Sequence, residues 1–416
     1  MIEIKQEKER FILIAVASSG KDRSDPEKET LDSLSELAEL VDTAGAETVG
    51  TLIQNREAPD RTTYLGKGKV EELEALIREL DATGVVSDDE LSPAQLSNLS
   101  DALSVKVLDR TVVILDIFAQ HAKTKEGKLQ VELAQLKYRQ SHLIGARSNL
   151  SRLGGGIGTR GPGESKLEID RRLIRERIYS LDRELEDVVR TRDITRSQRM
   201  RSGIGTAAIV GYTNAGKSTL LNKLTGADVE EADKLFATLD PTVRELVTPD
   251  GEKILLTDTV GFVRKLPHNL IDAFRSTLEE AGFSDIIIQV VDVSNPDHEK
   301  HMEVTYDTLR GLGVSGKTFV TVFNKCDLLP DNEEIFRDTR ADYTVRISAK
   351  TGFGLDELCS VLTGIIRAGR EYVEKLFSFN EAGEIARIRK NGQILSEEYR
   401  EDGIFIKAYV DKTIRL

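Results

Sequence analysis

The chain has 416 residues, enough for about three domains at roughly 150 residues each. Its 39% hydrophobic and 31% charged residues fit soluble, folded domains rather than a disordered chain. Only two cysteines, Cys326 and Cys359, are present, so a disulfide framework is excluded and a reducing compartment is expected. The charged start, Met1–Arg10, does not read as a secretory leader, and the longest apolar runs, Phe11–Ala17 and Ile286–Val291, are too short to span a bilayer. The expected location is the cytoplasm, with peripheral membrane association as the remaining membrane relation. The net charge of −13 argues against a polyanionic partner, but it is unevenly spread. His121 to Gly203 carries 19 Lys and Arg against 11 Asp and Glu, a basic stretch in an acidic chain.

Residues 1–120 alternate between the two periodicities. Phe11–Ala17, Glu47–Ile53, Gly84–Ser87 and Val105–Leu108 read as strands. Glu27–Val41, Lys69–Leu80 and Pro93–Leu103 read as helices, the first carrying Leu31, Leu34, Leu37, Leu40 and Val41 at helical spacing. Such alternation implies a small α/β layer with a mainly parallel sheet. The stretch Tyr64–Lys69 is a glycine-lysine loop, too loose for a phosphate motif.

From 127 to 200 the pattern becomes two long helical stripes. Leu129, Leu133, Leu136, Leu143 and Leu150 form one; Leu167, Ile174, Ile178, Leu181, Leu185 and Val188 form the other. They fit an antiparallel helical hairpin, its second helix started by the capping-box spacing Ser165–Glu168. Between them Leu153–Gly163 holds six glycines in eleven residues, more chain than a reversal requires. Arg147, Arg152, Arg160, Lys166, Arg171, Arg172, Arg175 and Arg177 flank it. They suit phosphate contacts or a solvated helix face; with few aromatics nearby, base stacking is not expected.

Strand-like Thr206–Val210 runs into Gly211-Tyr212-Thr213-Asn214-Ala215-Gly216-Lys217-Ser218 and then helix-like Thr219–Leu224. This is the G-x-x-x-x-G-K-S phosphate loop in its strand–loop–helix setting. Backbone N–H groups would wrap the phosphates, Lys217 would meet the β/γ-phosphates, and the Ser218 hydroxyl would ligate Mg²⁺. Alone, the loop would equally admit ATP.

Further elements follow in order. Phe236-Ala237-Thr238-Leu239-Asp240 offers Thr238 as a second Mg²⁺ ligand and γ-phosphate sensor, with Thr242 as its rival. The run Ile254–Thr257 ends in Asp258-Thr259-Val260-Gly261, where Asp258 would hold Mg²⁺ through water and the Gly261 N–H would sense the γ-phosphate. Strand Thr318–Phe323 ends in Asn324-Lys325-Cys326-Asp327. The Asp327 carboxylate accepts two hydrogen bonds, matching guanine N1–H and its exocyclic amine; adenine offers neither donor there. Lys325 would lie along the base. Strand Val345–Ile347 leads to Ser348-Ala349-Lys350, whose backbone would meet guanine O6. Five such elements in order point to a GTP/GDP site, with Lys217, Thr238 and Gly261 as the catalytic candidates and Ser218 and Thr238 as the metal ligands.

With these motifs in place, the chain resembles the translation-factor-related, Ras-like GTPases, and within them the HflX family, over roughly residues 10–365. Leu129–Tyr138 looks like that family's first hairpin helix, Leu153–Gly163 with Glu164–Arg172 like its signature loop and second helix, and Gly261–His268 like its switch segment. The resemblance implies four parts. They are an N-terminal α/β subdomain at 1–125, an antiparallel helical hairpin at 126–203, a Ras-like P-loop GTPase domain at 204–368 and a small α+β C-terminal module at 369–416. It also implies a monomeric GTPase that binds the large ribosomal subunit and its RNA through the hairpin and separates stalled ribosomes. Where such enzymes carry a water-positioning glutamine after the DxxG glycine, this chain has Phe262, so hydrolysis alone should be slow and the ribosome should stimulate it. His268 is a possible substitute or a surface residue. Asn214 either helps hold K⁺ or only hydrogen-bonds within its loop. Two other functions compete: a transfer-RNA-modification GTPase, and a GTP-sensing interaction protein with negligible hydrolysis.

In the C-terminal module, Tyr372–Phe377 is strand-like and Glu381–Lys390 helix-like. Ile394–Tyr399 and Ile404–Val410 should form a hairpin about Glu401-Asp402-Gly403.

Overall fold

The structure is a computed structural model, and it describes residues 8–18, 26–153, 162–200, 204–226, 235–236, 242–265, 281–329 and 336–411. The chain divides into two compact units. The first holds residues 1–186 together with 234–236 and 264–274; the second holds 187–233, 237–263 and 275–416.

In the first unit, β1 (Arg10–Ser18) is buried along almost its whole length. Its unbroken apolar run is what a central strand covered on both faces requires. β2 (Glu47–Arg56), β3 (Gly84–Ser87) and β4 (Lys106–Asp109) complete a parallel sheet of order β2-β1-β3-β4. The connections are α1 (Pro26–Thr43), α2 (Lys67–Glu79) and α3 (Pro93–Leu103). Alternate β1 residues Ile12, Ile14 and Val16 share a core with Leu73, Ile77, Leu99 and Leu103 from α2 and α3. Ser92 caps α3 through a reciprocal box with Gln95, a feature that contributes about 1 kcal/mol. The glycine-lysine stretch is only partly loop: Tyr64 and Leu65 are buried, Gly66 caps α2, and Lys67 begins the helix.

After β4 comes α4 (Arg110–His121), a helix that the strand-and-helix reading above does not contain. Its sequence, RTVVILDIFAQH, is β-branched and apolar, which favours a strand. Asp109 decides otherwise, its carboxylate accepting the Val112 N–H at 3.0 Å as an N-cap.

The two long helices are α5 (Lys125–Leu153) and α6 (Pro162–Met200). Helix α6 already begins at Pro162, ahead of the Ser165 capping-box position; proline suits a first helical turn. Arg177 pairs with Glu132 at 2.8 Å and Arg171 Nη2 donates to the Leu143 carbonyl at 2.5 Å. Later residues of α6 thus meet earlier ones of α5, the antiparallel arrangement. Leu181 is fully buried, whereas Ile169 and Leu173 are about half exposed. Most of the glycine-rich connector, residues 154–161, lies outside the described residues.

In the second unit, six strands have the order β10-β9-β8-β5-β7-β6. They are β5 (Gly205–Gly211), β6 (Thr242–Val247), β7 (Lys253–Asp258), β8 (Ile286–Asp292), β9 (Thr318–Asn324) and β10 (Tyr343–Arg346). All pairings are parallel except β6 with β7, the sheet of a Ras-like P-loop domain. Helices α7 (Lys217–Thr225), α8 (His298–Gly311) and α9 (Leu355–Ala368) accompany it. Its core joins Ile209, Leu220, Leu256, Ile288, Val322, Ile347 and Leu362.

A three-stranded antiparallel sheet ends the chain, β11 (Arg370–Phe377), β13 (Gly403–Asp411) and β12 (Gly392–Arg400) in that spatial order, with α10 (Ala382–Asn391). Phe377, Ile385, Ile388, Ile404 and Ile406 form its own core. No helix among the described residues is long and apolar enough to cross a membrane.

Candidate active site

The site is assembled where β5 stops. Gly211 has φ 149°, and a Cβ there would lie 2.3 Å from the Val290 carbonyl oxygen of β8. Only glycine allows the loop to leave the sheet so close to its neighbour. Gly216, at φ 90°, sits against Asn324 Nδ2, where a Cβ would come within 2.3 Å. Gly216 is also the N-cap of α7, whose first residue is Lys217. The loop's N–H groups and the helix N-terminus therefore offer an anion cradle. Asn214 adopts φ 58° at its tip, and Ala215 is buried beneath.

Lys217 is buried, and its Nζ donates to the Tyr212 carbonyl at 2.7 Å. Burial pushes its pKa down to about 8, and the nearby Asp258 carboxylate opposes that shift. Ser218 Oγ donates to Asp258 Oδ2 at 2.9 Å, with Asp258 fully buried at the end of β7. A hydroxyl and a carboxylate so close form an oxygen-donor pair that suits Mg²⁺. Thr259 Oγ donates to the Ile209 carbonyl at 2.8 Å and so fixes the start of the DxxG turn on β5; Val260 is buried beside it. Gly261 presses against the phosphate loop. A Cβ there would meet Thr213 Cα at 2.9 Å and Lys217 Nζ at 3.0 Å.

Phe262 follows, only 2% exposed, and its backbone is zipped to the loop. Thr213 N–H donates to the Phe262 carbonyl at 2.8 Å, and Phe262 N–H to the Gly211 carbonyl at 3.1 Å. The residue that replaces the usual glutamine is thus an apolar latch. Tyr212 stacks flat on His301 of α8, ring centroids 3.8 Å apart, a support the sequence reading did not contain.

On the guanine side, Asn324 bridges two loops. Its Nδ2 donates to the Ala215 carbonyl at 2.8 Å, and its Oδ1 accepts the Ala349 N–H at 2.9 Å. Lys325 turns through φ 64°, and Cys326 and Asp327 form a 3-10 turn with Asp327 exposed. Cys326 N–H donates to the Ile347 carbonyl at 3.2 Å, holding this turn beside Ser348. Ser348 and Ala349 are buried and Lys350 is exposed. The structure therefore brings the phosphate loop, Asp258–Gly261, Asn324–Asp327 and Ser348–Lys350 to neighbouring strand ends.

Phe236 is described and buried, but Ala237, Thr238, Leu239 and Asp240 lie outside the described residues, as does His268. Thr242, the rival to Thr238, opens β6 in register with Asp258. Two short pieces flanking these motifs belong to the first unit. Phe236 packs edge-on against Phe118 of α4, centroids 4.7 Å apart. The Arg264 carbonyl accepts from Arg110 Nη1 at 2.9 Å, and Lys265 pairs with Asp88 and with Asp89, the latter at 2.6 Å. Arg110 is buried and also pairs with Glu36 at 2.8 Å and Asp88 at 3.0 Å. Burial alone would raise the Asp88 pKa; Arg110 and Lys265 hold it below the usual carboxylate range. No sequence spacing announces this network, because its partners are far apart in the chain.

Comparison with known proteins agrees with this geometry. Residues 31–119 match a family described as GTP-binding GTPase N-terminal, 121–199 one described as GTP-binding GTPase Middle Region, and 206–325 one described as 50S ribosome-binding GTPase. The chain is 61% identical over 410 residues to GTPase HflX of Lacrimispora saccharolytica, covering 99% of this chain and 95% of that protein. It is 47% identical to GTPase HflX of Caldanaerobacter subterraneus subsp. tengcongensis, covering 100% and 94%. With GTPase HflX of Escherichia coli it shares 42% identity over 80% of this chain and 79% of that one. With its nucleotide motifs gathered at neighbouring strand ends and these relatives matched along nearly its full length, the chain belongs to the HflX family of GTPases and is a GTP-binding, GTP-hydrolysing protein.

Proposed function

We propose that this GTPase binds the large ribosomal subunit in its GTP state, dissociates stalled or inactive ribosomes, and uses hydrolysis for release. The observation that carries the reading is the match of residues 206–325 to a family described as 50S ribosome-binding GTPase. The basic hairpin supports the same partner. Its exposed arginines suit ribosomal RNA phosphate, and the factor would act as a monomer in the cytoplasm. The working division is 1–125, 126–203, 204–368 and 369–416, with the hairpin as the RNA-contacting part.

In this reading Lys217 and the loop from Gly211 to Ser218 take the phosphates of GTP or GDP. Ser218 and Thr238 would ligate Mg²⁺, with Asp258 holding it through water, and the metal bound there would neutralise phosphate charge. Gly261 senses the γ-phosphate, and Asn324–Asp327 with Ser348–Lys350 take guanine. Phe262 neither orients nor deprotonates water, so turnover alone is slow and the ribosome stimulates it. Asn214 is a candidate K⁺ ligand, tested by exchanging Na⁺ for K⁺ in a hydrolysis assay.

The pieces flanking the switches give the nucleotide a route outward. Phe236 stands just before Thr238, and Lys265 just after Gly261; each belongs to the first unit, where Phe236 meets Phe118 and Lys265 meets Asp88 and Asp89. Contacts of γ-phosphate with Thr238 and Gly261 would shift those contacts. Sedimentation with whole ribosomes tests the function. With a non-hydrolysable GTP analogue the protein should travel with the large subunit and deplete the whole-ribosome peak. Protein that stays at the top of the gradient in every nucleotide state would refute the ribosome assignment.

A further inference from the structure

Beside the expected guanine pocket lies a carboxylate that the nucleotide motifs do not include. Asp292 ends β8, in register with Asn324 at the end of β9, and the Val293 N–H donates to the Asn324 carbonyl at 3.1 Å. The two strand ends are therefore locked together. Asp292 Oδ1 accepts the Ser294 N–H at 3.0 Å and the Ser294 hydroxyl at 2.6 Å. Its other oxygen, Oδ2, takes Lys325 Nζ at 2.7 Å. Side-chain exposure is 17% for Asp292 and 27% for Lys325, so the pair is only partly screened by water.

We propose that Asp292 is a positioning residue for guanine recognition, anchoring the Lys325 ammonium so that the lysine stem stands as a preformed wall for the purine. Three features support this. Lys325 sits at φ 64°, a left-handed backbone position that a lysine adopts only at a cost, and its ammonium reaches Asp292. A lysine stem left free would have to lose its rotamer freedom when nucleotide binds, whereas an anchored one has already lost it. With Oδ1 held by Ser294 and Oδ2 by Lys325, both oxygens of the Asp292 carboxylate are engaged, which constrains the ion pair. The chemical class recognised is the guanine base of a nucleoside di- or triphosphate. The inference rests on Lys325 and Asp327 facing that base.

The test is equilibrium titration of the full-length protein with fluorescent GDP, with dissociation rates measured in parallel. Asp292→Asn keeps acceptors for Ser294 but loses the charge that holds Lys325. GDP affinity should fall about tenfold, mainly through faster dissociation. Asp292→Glu should recover part of that loss. In a Lys325→Met background, Asp292→Asn should change nothing further, because the anchor then has nothing to hold. An unchanged affinity for Asp292→Asn, or an equal loss in both backgrounds, would overturn the proposal. Should Asp292→Asn fail to fold, Ser294→Ala gives the same comparison with a smaller expected loss. Asp327→Asn controls the underlying reading separately. It should shift preference from GDP toward the xanthine nucleotide, whose base carries a carbonyl where guanine has its amine. Without that shift, the guanine assignment fails independently of Asp292.

Discussion

The nucleotide site and the helical hairpin are built in opposite ways. Around the phosphate loop, position is set by backbone. Gly211 and Gly216 fit where no side chain would, Phe262 zips to Thr213, and Asn324 ties Ala215 to Ala349. In the hairpin the expected function rests on side chains pointing to solvent, such as Arg172 and Arg175 on α6. The first construction tolerates almost no change and needs few residues. The second spreads a weak interaction over many residues, each individually dispensable. A site that performs chemistry requires fixed atoms; a surface that meets phosphate requires mainly charge and reach.

The largest effect should come from the fixed site. Lys217→Ala removes the buried ammonium of the phosphate loop, and turnover assayed with ribosomes, measured as phosphate release, should fall about 100-fold or more. The same lysine carries a pH dependence. Its pKa in the nucleotide-free protein is about 8, below its unfolded value near 10.4, so above pH 8 the charge is progressively lost. Bound phosphates favour the charged form. GDP affinity should therefore fall by up to about tenfold between pH 8 and 9, and Lys217→Arg should be flat over that interval. The stability sign is opposite. Burying this charge costs the nucleotide-free fold below pH 8, and that cost is relieved as pH rises toward the unfolded value.

Next in size is the Arg110 network, which is fixed like the nucleotide site but has no motif. Arg110→Met leaves the buried Asp88 carboxylate without its arginine, and should destabilise the first unit by about 3–5 kcal/mol in a thermal or urea melt. Asp88 holds a depressed pKa, so its contribution is present above the unfolded carboxylate pKa and disappears as pH falls through the lower folded value. An Asp88→Asn protein should lack that acid limb.

The hairpin offers the finest comparison. Arg175 and Arg177 are both exposed, but Arg177 grips Glu132 through Nε at 2.8 Å and Nη2 at 3.0 Å. Arg175→Ala should reduce the salt dependence of ribosome binding by about one unit of slope. Arg177→Ala should leave that slope nearly unchanged and only slightly loosen the α5–α6 pairing, because an exposed ion pair contributes little. Equal effects on the slope would mean that the ion pair does not set Arg177 apart.

Much of this was legible in the sequence for a physical reason. A phosphate loop must be local, so Gly211–Ser218 spells itself out in consecutive residues. Parallel strands buried on both faces are continuous apolar runs, so Phe11–Ala17 reads directly as a strand, while Ile286–Val291, which is β8, stands out only as an apolar run. The misses share the opposite property. Helix α4 hid because Thr111–Phe118 prefers a strand, and the Asp109 cap and the burial of Val113, Ile114, Ile117 and Phe118 reverse that preference. Arg110 carries no local signal because Arg264, whose carbonyl it holds, lies 154 residues away. Asp292 and Lys325 are likewise joined only by strand order. The pattern Asp292-Val293-Ser294, an acid followed by a serine at a strand end, was the available local hint.

The most direct test of the account is the affinity of purified large subunits for the protein loaded with a GTP analogue or with GDP, in the native chain and in Lys265→Ala. A switch must bind its two states differently, and by enough to move the equilibrium. The account predicts a preference of about tenfold or more for the analogue form in the native chain. It predicts that losing the Lys265 contacts with Asp88 and Asp89 shrinks that preference. Equal affinity of the native protein in both nucleotide states would contradict the account.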